Sequence, residues 1–410
     1  MALKPETIRP EDFGAAGDGK LFDTAALQAA LDTCAELGGG SVLLSGGRTY
    51  LSGSLRIGSN TVLHLEADAV LKAGRNIADY ISPGTVDNDS NRRVGTPVTR
   101  KPAYVFLYGL HVKNVAITGQ GTIDGNGAAF MRRVSPHYVT GDFYPRPTLV
   151  YIEDCENLTL RGVTLQNAPF WTLHPAGCRG VLIDGIRIQN PLDWANSDGI
   201  DPDHCQNVNI TNCRIECADD CICLKNTAGN SEYSHTRGVK ISGCTLTSAS
   251  AAVKIGTEGV DDFKDILVED CVIMRSNRGI SIQIRDGGSV RGAVFRSLTI
   301  ETCSFPPDWW GSAEPIAVTA FDRDEQTRAG TVQDVRFAEI NCVGENGVLV
   351  CGQSGRISGV TFDNVRVRLK KSRREALGYD LRPGCATGDR LERPRVPWLI
   401  ENSDVAINYT

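Results

Sequence analysis

The sequence predicts an all-β solenoid that a short helix closes near its N-terminal end. The main observation is a phrase of alternating apolar residues that recurs along much of the 410-residue chain. The second is a corner, usually containing Gly or Asn, in the middle of each phrase. The third is one amphipathic segment that precedes the repeats and ends in three consecutive glycines. Together these features favour short strands that coil around a single core.

The repeated phrase has the pattern apolar, x, apolar, x, x, apolar, x, apolar. Its copies lie at residues 158–165, 181–188, 208–215, 239–246, 266–273, 293–300 and 360–367. The first six copies begin 23, 27, 31, 27 and 27 residues apart. Period-two alternation turns one side of each strand inward, and because no coil can bury that side alone, successive coils must stack. A β-propeller, the rival architecture, needs about 40–50 residues and four strands in each blade.

We expect one domain over residues 1–410, because each repeat of a solenoid packs only on its neighbours and escapes the usual size limit of a single core. An N-terminal cap is expected at about 10–50 and β-helical coils at about 51–369. Within the cap, segment 23–37 is typical of a helix with a glycine stop, which would cover the open β edge. Residues 370–410 lose the repeat and read as a C-terminal cap or a segment folded back along the solenoid.

Composition excludes some classes of partner and leaves others open. A net charge of −6 gives no basic face, so nucleic acid is not an expected partner. Nowhere do 18 apolar residues run together, so no membrane span is expected. The N-terminus as given has no apolar core of a signal peptide. Composition does not determine the oligomeric state.

Fourteen cysteines allow three interpretations. Most of them lie inside apolar strand patterns, as Cys213, Cys244 and Cys271 do, where a free thiol behaves as a small buried hydrophobe. Scattered disulfides are the second interpretation. A metal cluster is the third, and it lacks paired Cys-x-x-Cys segments with a matching set of histidines. Core thiols are therefore the favoured interpretation.

Three aspartates form the candidate catalytic centre. Asp198 precedes Asp219 and Asp220 by 21 and 22 residues, close to one coil of the solenoid. Residues one coil apart stack about 5 Å from each other, so the three carboxylates could share one patch. Like charges so close raise at least one pKa, which yields the acid and the base that glycoside hydrolysis requires. Two other interpretations stay open: turn residues at corners, and a calcium site to which Asp201 and Asp203 add oxygens.

The motifs around these aspartates resemble those of a known family. Asn-Ser-Asp-Gly-Ile-Asp at 196–201 is followed by Asp-Asp-Cys-Ile-Cys-Leu-Lys at 219–225. Further phrases are Asp-Phe-Gly-Ala-Ala-Gly-Asp-Gly at 12–19, Gly-Gln-Gly-Thr-Ile-Asp-Gly at 119–125 and Pro-Phe-Trp-Thr-Leu-His-Pro at 169–175. Together they are similar to the signature of glycoside hydrolase family 28, the polygalacturonases and rhamnogalacturonan hydrolases of the pectin-lyase-like superfamily. The resemblance covers about residues 10–370.

The resemblance implies a single-stranded right-handed parallel β-helix and an inverting hydrolase of pectic or related acidic polysaccharide or oligosaccharide. By position, Asp219 would be the general acid or its partner, with Asp198 and Asp220 holding the attacking water. Inversion requires about 6.5–9.5 Å between acid and base. The resemblance implies no cofactor and no metal. It also implies a secreted or periplasmic protein if a leader has been removed, and a cytoplasmic one otherwise.

Two departures from the family pattern separate this chain from an ordinary polygalacturonase. Ala251 stands where the family carries the His of a Gly-His-Gly segment. Ser281 and Gln283 stand where the family carries the Arg and Lys of an Arg-Ile-Lys segment, which binds the galacturonate carboxylate. Neither Ser281 nor Gln283 can form those ion pairs. Rhamnogalacturonan hydrolases of the family also lack the His, so its loss alone does not abolish hydrolysis.

Other candidates for substrate contact lie near the expected groove. The polar ones, which could also be a solvated strand face, are Asn196, Lys225, Lys254, Glu258, Arg285 and Asp286. Aromatic rings offer stacking platforms for sugars; Phe170 and Trp171 lie in a strand-like phrase and could be buried, whereas Trp309 and Trp310 lie in a loop expected to face solvent. His174 matches a family position, although a structural role is favoured. Loop 87–101 is expected to wall one end of the groove and to favour cutting from a chain end.

Two other functions remain as alternatives. A polysaccharide lyase or epimerase on the same fold would need a uronate, usually calcium, and a base, for which Lys254 or Arg285 are candidates. A carbohydrate-binding β-helix without activity is the second, but a binder has no need of three clustered carboxylates. Hydrolysis is therefore the predicted activity.

Overall fold

The computed structural model describes residues 7–82, 102–141, 146–372 and 378–409. These residues form a parallel β-helix with one α-helix, which confirms the predicted fold class. Loop 87–101, expected to wall the groove, lies outside the described residues.

The described strands are short and almost all parallel. In chain order they are β1 (Thr7–Ile8), β2 (Asp18–Phe22), β3 (Gly40–Leu44), β4 (Thr49–Ser52), β5 (Leu55–Arg56), β6 (Thr61–Leu65), β7 (Val70–Ala73), β8 (Val105–Gly119), β9 (Thr122–Asp124), β10 (Arg132–Ser135), β11 (Tyr138–Thr140), β12 (Thr148–Arg161), β13 (Thr164–Gln166), β14 (Leu173–Ala176), β15 (Arg179–Asp184), β16 (Arg187–Gln189) and β17 (Gln206–Thr211). They continue as β18 (Arg214–Cys217), β19 (Ile222–Asn226), β20 (Arg237–Ser242), β21 (Thr245–Ser248), β22 (Ala251–Gly259), β23 (Phe263–Glu269), β24 (Val272–Ser276), β25 (Arg278–Ile284), β26 (Val290–Thr302), β27 (Ile316–Ala320), β28 (Val332–Gly344), β29 (Val348–Gly352), β30 (Ile357–Leu369), β31 (Tyr379–Asp380), β32 (Arg390–Leu391), β33 (Trp398–Glu401) and β34 (Ser403–Asn408).

Strand pairing divides the solenoid into three columns of stacked parallel strands. The first column runs β1, β3, β6, β8, β12, β15, β17, β20, β23, β26, β28, β30, β34. The second runs β2, β4, β7, β9, β13, β16, β18, β21, β24 and the end of β26. The third contains β14, then an isolated bridge residue, Ile200, and then β19, β22, β25, β27, β29 and β33. Each turn of the chain therefore adds one layer to every column.

The predicted phrases lie where the first and second columns meet. In one copy, Val181 and Ile183 of β15 point inward, the chain turns at Gly185, and Ile188 of β16 points inward again. Gly185 has φ 64°, and Asn212 occupies the same corner one coil later with φ 56°. Glycine and asparagine adopt this left-handed conformation at low cost, which explains the corner composition.

In the core, similar side chains stack on successive coils. The rings of Phe295, Phe337 and Phe362 lie on successive coils with centroids 4.9 and 4.8 Å apart and interplanar angles of 13° and 8°. These distances match the spacing between paired strands, so strand pairing itself sets the ring stacking. Each ring is fully buried.

The helix α1 (Thr24–Glu36) covers one end of this core, as the amphipathic segment predicts. Its buried face comprises Ala26, Leu27, Ala30, Leu31 and Cys34. Past its end, Gly38 and Gly39 have φ of 85° and 130°, so the glycines do stop the helix. The described 3-10 helices are Pro10–Phe13, Ile77–Asp79, Gly127–Phe130 and Ala228–Asn230.

Strand stacking extends past both expected limits of the coils. Before residue 51, β3 already pairs in parallel with β1 and β6. After residue 369, β33 pairs with β29 and β34 pairs with β30, so the C-terminal segment completes a further coil. Between these coils, β31 and β32 form an antiparallel hairpin. Strands on either side of about 51 and 369 therefore belong to the same columns, although those that lack a second half do not show the full phrase.

All fourteen cysteines are free thiols, and thirteen of them are buried. The interpretation as core thiols is thus confirmed for Cys213, Cys244 and Cys271, which stack on successive coils. No helix among the described ranges is both long enough and apolar enough to cross a membrane.

Candidate active site

The site lies on the outward face of the third column. In β19, Ile222 and Leu224 point into the core, so Lys225 points outward by strand alternation. On the next strand Val253 and Ile255 point inward and Lys254 outward. Both lysines are nevertheless buried, with the ammonium of Lys225 near Trp171 and Glu258 and that of Lys254 against Asp220.

The structure brings Asp198, Asp219 and Asp220 together, as the spacing predicts. Asp198 lies two residues before Ile200, whose bridges to Leu173 and Ile222 place it in the column. The other two lie in the turn between β18 and β19. One oxygen from each carboxylate lies within 4.8 Å of the others. All three side chains are buried, and Asp219, at 8% exposure, is the most accessible of them.

Asp220 is held by three donors. The ammonium of Lys254 lies 2.7 Å from Oδ2, and the Ser250 hydroxyl and the Ala251 backbone N–H donate to Oδ1 at 2.9 and 3.1 Å. A charged donor together with two neutral ones fixes this carboxylate in position. Asp220 in turn raises the pKa of Lys254 above its usual value, against the effect of burial.

Asp219 has a different environment from its neighbour. Its carboxylate accepts hydrogen bonds from the Asn196 backbone N–H at 3.2 Å and from the Asp220 N–H at 3.1 Å. Burial, and then the charge of Asp220, raise the pKa of Asp219 to about 6. A carboxyl whose pKa is raised toward neutral can act as the acid in catalysis.

Asp198 is the third member of the cluster. Burial, followed by the charge of Asp219, raises its pKa well above the usual range. Its Oδ1 is buried and has no hydrogen-bond partner within the described chain. The nearest cation is the ammonium of Lys225, 4.0 Å from Oδ2. Because the charges of Asp198 and Asp219 affect each other, the proton-binding steps of these two carboxyls belong to the pair.

Lys225 sits at the centre of a second set of charges beside the three aspartates. Its ammonium lies 3.1 Å from Glu258, 3.6 Å from Asp201 and 4.4 Å from the centroid of the Trp171 ring. Although burial alone would raise it, the charges of Lys225 and Lys254 lower the pKa of Glu258 to about 2. The face of Trp171 is therefore already engaged by a cation, which competes with its expected role as a sugar platform.

The spacing of the three carboxylates could hold a divalent cation. Two ammonium groups already supply positive charge there, with Lys254 in direct contact with Asp220. Asp201 and Asp203 are the two further ligands expected for calcium, and Asp201 lies 3.6 Å from the ammonium of Lys225. The oxygens of Asp203 are occupied by Thr227 and Asn230 and by the imidazoles of His174 and His204. The calcium interpretation thus loses Asp203 as a ligand.

His174 belongs to this Asp203 network rather than to the reacting groups. Its Nε2 lies 3.3 Å from Asp203, and its ring packs against Tyr151 and Trp171 with centroids 5.1 and 4.9 Å away. Asp203 also accepts from the Thr227 hydroxyl at 2.6 Å. The side chain of His174 therefore positions the wall of the site, the structural role that was favoured for it.

Asn196 orients the turn that precedes Asp198. It has φ 56°, and its side-chain carbonyl accepts from Arg146 at 2.9 Å. Arg146 also donates to the Ala195 carbonyl at 2.9 Å. The sequence gives no sign of this contact, because Arg146 lies 50 residues away in an unremarkable segment.

The three residues expected to depart from the resembled pattern have different surroundings. Ala251, expected at the position of a His, donates its backbone N–H to Asp220. Ser281 pairs with Lys254 across neighbouring strands, and its hydroxyl is buried without a partner among the described residues. Gln283 donates its amide to the Arg382 carbonyl at 3.0 Å. Neither Ser281 nor Gln283 presents a cation to the site.

Arg285 and Asp286 do not join the three aspartates. Arg285 is fully buried and donates to the Thr319 hydroxyl at 3.0 Å and to the Leu381 carbonyl at 3.2 Å. Asp286 forms a buried ion pair with Arg323. Neither residue therefore lies on a solvated strand face, which the sequence leaves open as the alternative to substrate contact.

The expectation that Trp309 faces solvent is wrong. Its ring is only 4% exposed, packs on Tyr138 with centroids 5.1 Å apart, and donates its indole N–H to the His137 carbonyl at 3.2 Å. Trp310 is half-buried, and its carbonyl accepts from Asn277. The error arose because a Pro-rich loop usually lies on the surface, whereas this loop packs under the hairpin β10–β11.

Comparison with known proteins agrees with this geometry. A family model described as glycosyl hydrolases family 28 matches residues 77–379. A protein of Vitis vinifera named probable polygalacturonase is 33% identical over 302 residues, 71% of this chain and 60% of that protein. An endo-polygalacturonase of Pectobacterium carotovorum subsp. carotovorum is 25% identical over 362 residues, 84% of each chain. The structure of an exopolygalacturonase from Thermotoga maritima shares the fold, with TM-score 0.74 and 20% identity over 90% of this chain and 88% of that one.

Proposed function

Because the chain belongs to glycosyl hydrolase family 28, we propose that it hydrolyses a glycosidic bond in a pectic or related acidic polysaccharide or oligosaccharide. The observation that carries this proposal is that two adjacent carboxyls have different surroundings. Asp220 contacts an ammonium at 2.7 Å, whereas the pKa of Asp219 is raised to about 6. Glycoside hydrolysis needs such a pair.

We assign Asp219 as the general acid. A carboxyl with a pKa of about 6 is largely protonated in mildly acidic solution and can give its proton to the leaving oxygen. It is also the most exposed of the three carboxyls, so a substrate reaches it first. Its two backbone N–H donors hold the side chain in place during the transfer.

Asp220 and Asp198 are assigned to the attacking water. Two carboxylate oxygens within 4.8 Å of each other can both accept hydrogen bonds from one water molecule, since each such bond spans about 2.7–2.8 Å. Asp220 is the proposed base, and Oδ1 of Asp198, which has no hydrogen-bond partner in the described chain, is the second acceptor. This spacing is shorter than the usual 6.5–9.5 Å between acid and base of inverting enzymes, so the anomeric configuration of the product is a direct test of the inverting assignment.

The charged groups near the site support a substrate grip that differs from that of an ordinary polygalacturonase. Each lysine beside the three aspartates already has a carboxylate partner, Glu258 for Lys225 and Asp220 for Lys254. Gln283 replaces a family cation and bonds the Arg382 carbonyl. A uronate carboxylate at this position would therefore lack the bidentate ion pairs that favour galacturonan.

The groups proposed as the base of a lyase or epimerase do not suit that role. Lys254 is paired with Asp220, which raises the pKa of the lysine, so it stays protonated. Arg285 is buried against the Leu381 carbonyl. A base must be deprotonated and reach the substrate, so hydrolysis fits these residues better than elimination.

The proposed activity is tested by screening pectic, rhamnogalacturonan and other plant or microbial polysaccharides for new reducing ends. The separate variants Asp198→Asn, Asp219→Asn and Asp220→Asn are assayed on each substrate that is cut. Loss of cleavage in the variants supports the assignment. Wild-type rates in all three would refute it, and products that absorb as unsaturated uronates would indicate a lyase.

A further inference from the structure

The outward face of the third column is open to substrate at most as far as the coil of Lys254. On the next coils the outward side chains are Gln283 of β25, Ala317 and Thr319 of β27, and Leu349 and Cys351 of β29, and every one of them is buried. Outward positions of a solenoid strand are normally solvated, so another part of the chain must cover them.

The cover is the C-terminal segment that contains β31. Tyr379 and Leu381 pack against Ala317, Phe321 and Leu349 in a small apolar cluster outside the main core. Tyr379 is fully buried, so this contact is close packing rather than a loose overlap. The segment therefore lies across β27 and β29, where a groove running along the solenoid would continue.

Polar contacts fix the same segment to the coil next to the active site. Gln283 donates to the Arg382 carbonyl at 3.0 Å, Arg285 donates to the Leu381 carbonyl at 3.2 Å, and Arg278 donates to the Asp380 carbonyl. Three side chains on one coil thus satisfy three consecutive backbone carbonyls. The Gln283 contact explains what a residue does at a position where the family has a substrate-binding cation.

The segment is braced from the other side by its own ion pair. Arg382 contacts Asp380 at 2.6 Å and also donates to the backbone carbonyl of Trp309 at 3.1 Å. Asp380 in turn accepts from the Gly311 N–H at 3.0 Å. The loop that carries Trp309 and the C-terminal segment therefore form one continuous wall.

We propose that the segment Tyr379–Arg382 ends the substrate groove one coil beyond Lys254, so that only about one sugar residue fits on that side of the cleaved bond. This rests on the proposed function. Adjacent coils are about 5 Å apart, and a pyranose ring spans about one coil. The site thus accepts a chain end and releases a product one sugar long from that side, and internal bonds of a long polymer do not reach the three aspartates.

The test follows the products of the intact protein acting on oligosaccharides of defined length from whichever polysaccharide is cleaved. The oligosaccharides carry a label at the reducing end, so the position of each cut can be read by mass spectrometry. We expect one sugar to be removed from one end at each cut. On the polymer, reducing ends should increase well before viscosity falls. Early products of mixed length, with a rapid fall in viscosity, would overturn the proposal.

A variant of the wall provides the second arm. Arg382→Ala removes the brace without touching the aspartates, and we expect the ratio of internal to terminal cuts to rise about tenfold, equivalent to a modest change in binding free energy. Arg393→Ala is the matched control, because Arg393 follows the segment Tyr379–Arg382 in the chain and pairs with Glu401 at the surface. An unchanged ratio in a folded Arg382→Ala protein would count against the wall.

The two proposals fail in distinguishable ways. Absence of cleavage on every substrate would contradict the proposed hydrolysis. Cleavage that depends on Asp219 but falls at random internal bonds would contradict only the closed groove. If Arg382→Ala does not fold, the wild-type cutting pattern alone still decides the question.

Discussion

The proposed hydrolysis depends on three neighbouring carboxyls whose surroundings differ. Asp220 is fixed by an ammonium and two neutral donors, Asp219 by two backbone N–H groups, and one oxygen of Asp198 has no partner in the described chain. The chemical roles follow from these contacts rather than from the residue type. Each role can be tested by changing one group.

Asp219→Asn should lower kcat by about 100- to 10,000-fold, the usual contribution of a general acid. The amide keeps the shape and can still accept the Asn196 N–H, so substrate binding should change little. The measurement is steady-state kinetics on the best substrate of the screen. Asp154→Asn is the control, because Asp154 is half exposed and pairs with His111 at the surface. A fall of less than about tenfold would remove Asp219 from the role of acid.

The pH dependence has a definite sign. The acid must be protonated to act, and the pKa of Asp219 is raised to about 6. We expect kcat/KM to fall as pH rises above about 6, approaching a tenfold loss for each further pH unit. A profile measured from acidic to neutral pH, with stability checked at each point, decides this. A rate that stays constant across neutral pH would contradict the assignment.

Lys254→Met should damage both stability and activity. The substitution leaves Asp220 buried without its cation, and breaking a buried pair typically costs about 3–5 kcal/mol. Asp220 should also lose the contact that fixes it beside the attacking water, so cleavage should slow. Urea unfolding and steady-state kinetics measure the two effects. Lys240→Met, at an exposed lysine paired with Glu269, should change neither by much.

At the scale of elements, stability comes from layers that repeat. Phe337 lies between Phe295 and Phe362, with ring centroids 4.9 and 4.8 Å away. Phe337→Ala should therefore reduce the free energy of unfolding by about 3–5 kcal/mol, whereas Phe337→Leu should cost clearly less. Denaturant unfolding followed by tryptophan fluorescence measures both. Equal losses in the two variants would show that packing of the ring stack is not the cause.

Sequence predicted those elements well wherever both halves of the phrase were present. The alternation at 181–188 gave strands, corner and inward residues together, because strand period and corner chemistry are both local. Strands β3 and β6 show only one half of the phrase, so the repeat alone does not reveal their place in the first column. Local sequence patterns also could not predict that Trp309 is buried, since its packing partner Tyr138 lies more than 150 residues away.

At the scale of the whole molecule, the candidate site was predictable because one coil brings its members together. Asp198 and the Asp219–Asp220 pair are separated by nearly one repeat, so stacking alone makes them neighbours. The position of Arg285 was not predictable, because it depends on a segment almost a hundred residues later that folds back over its coil. The cellular compartment stays a prediction of the family resemblance.

Cleavage in ¹⁸O-labelled water tests hydrolysis by the three aspartates most directly. Hydrolysis by a water held between Asp198 and Asp220 places one heavy oxygen at the new reducing end, and mass spectrometry of the earliest products detects it. We predict single incorporation with the wild-type protein and none with Asp219→Asn over the same time. Products that carry no heavy oxygen, or undiminished incorporation in Asp219→Asn, would contradict hydrolysis by these aspartates.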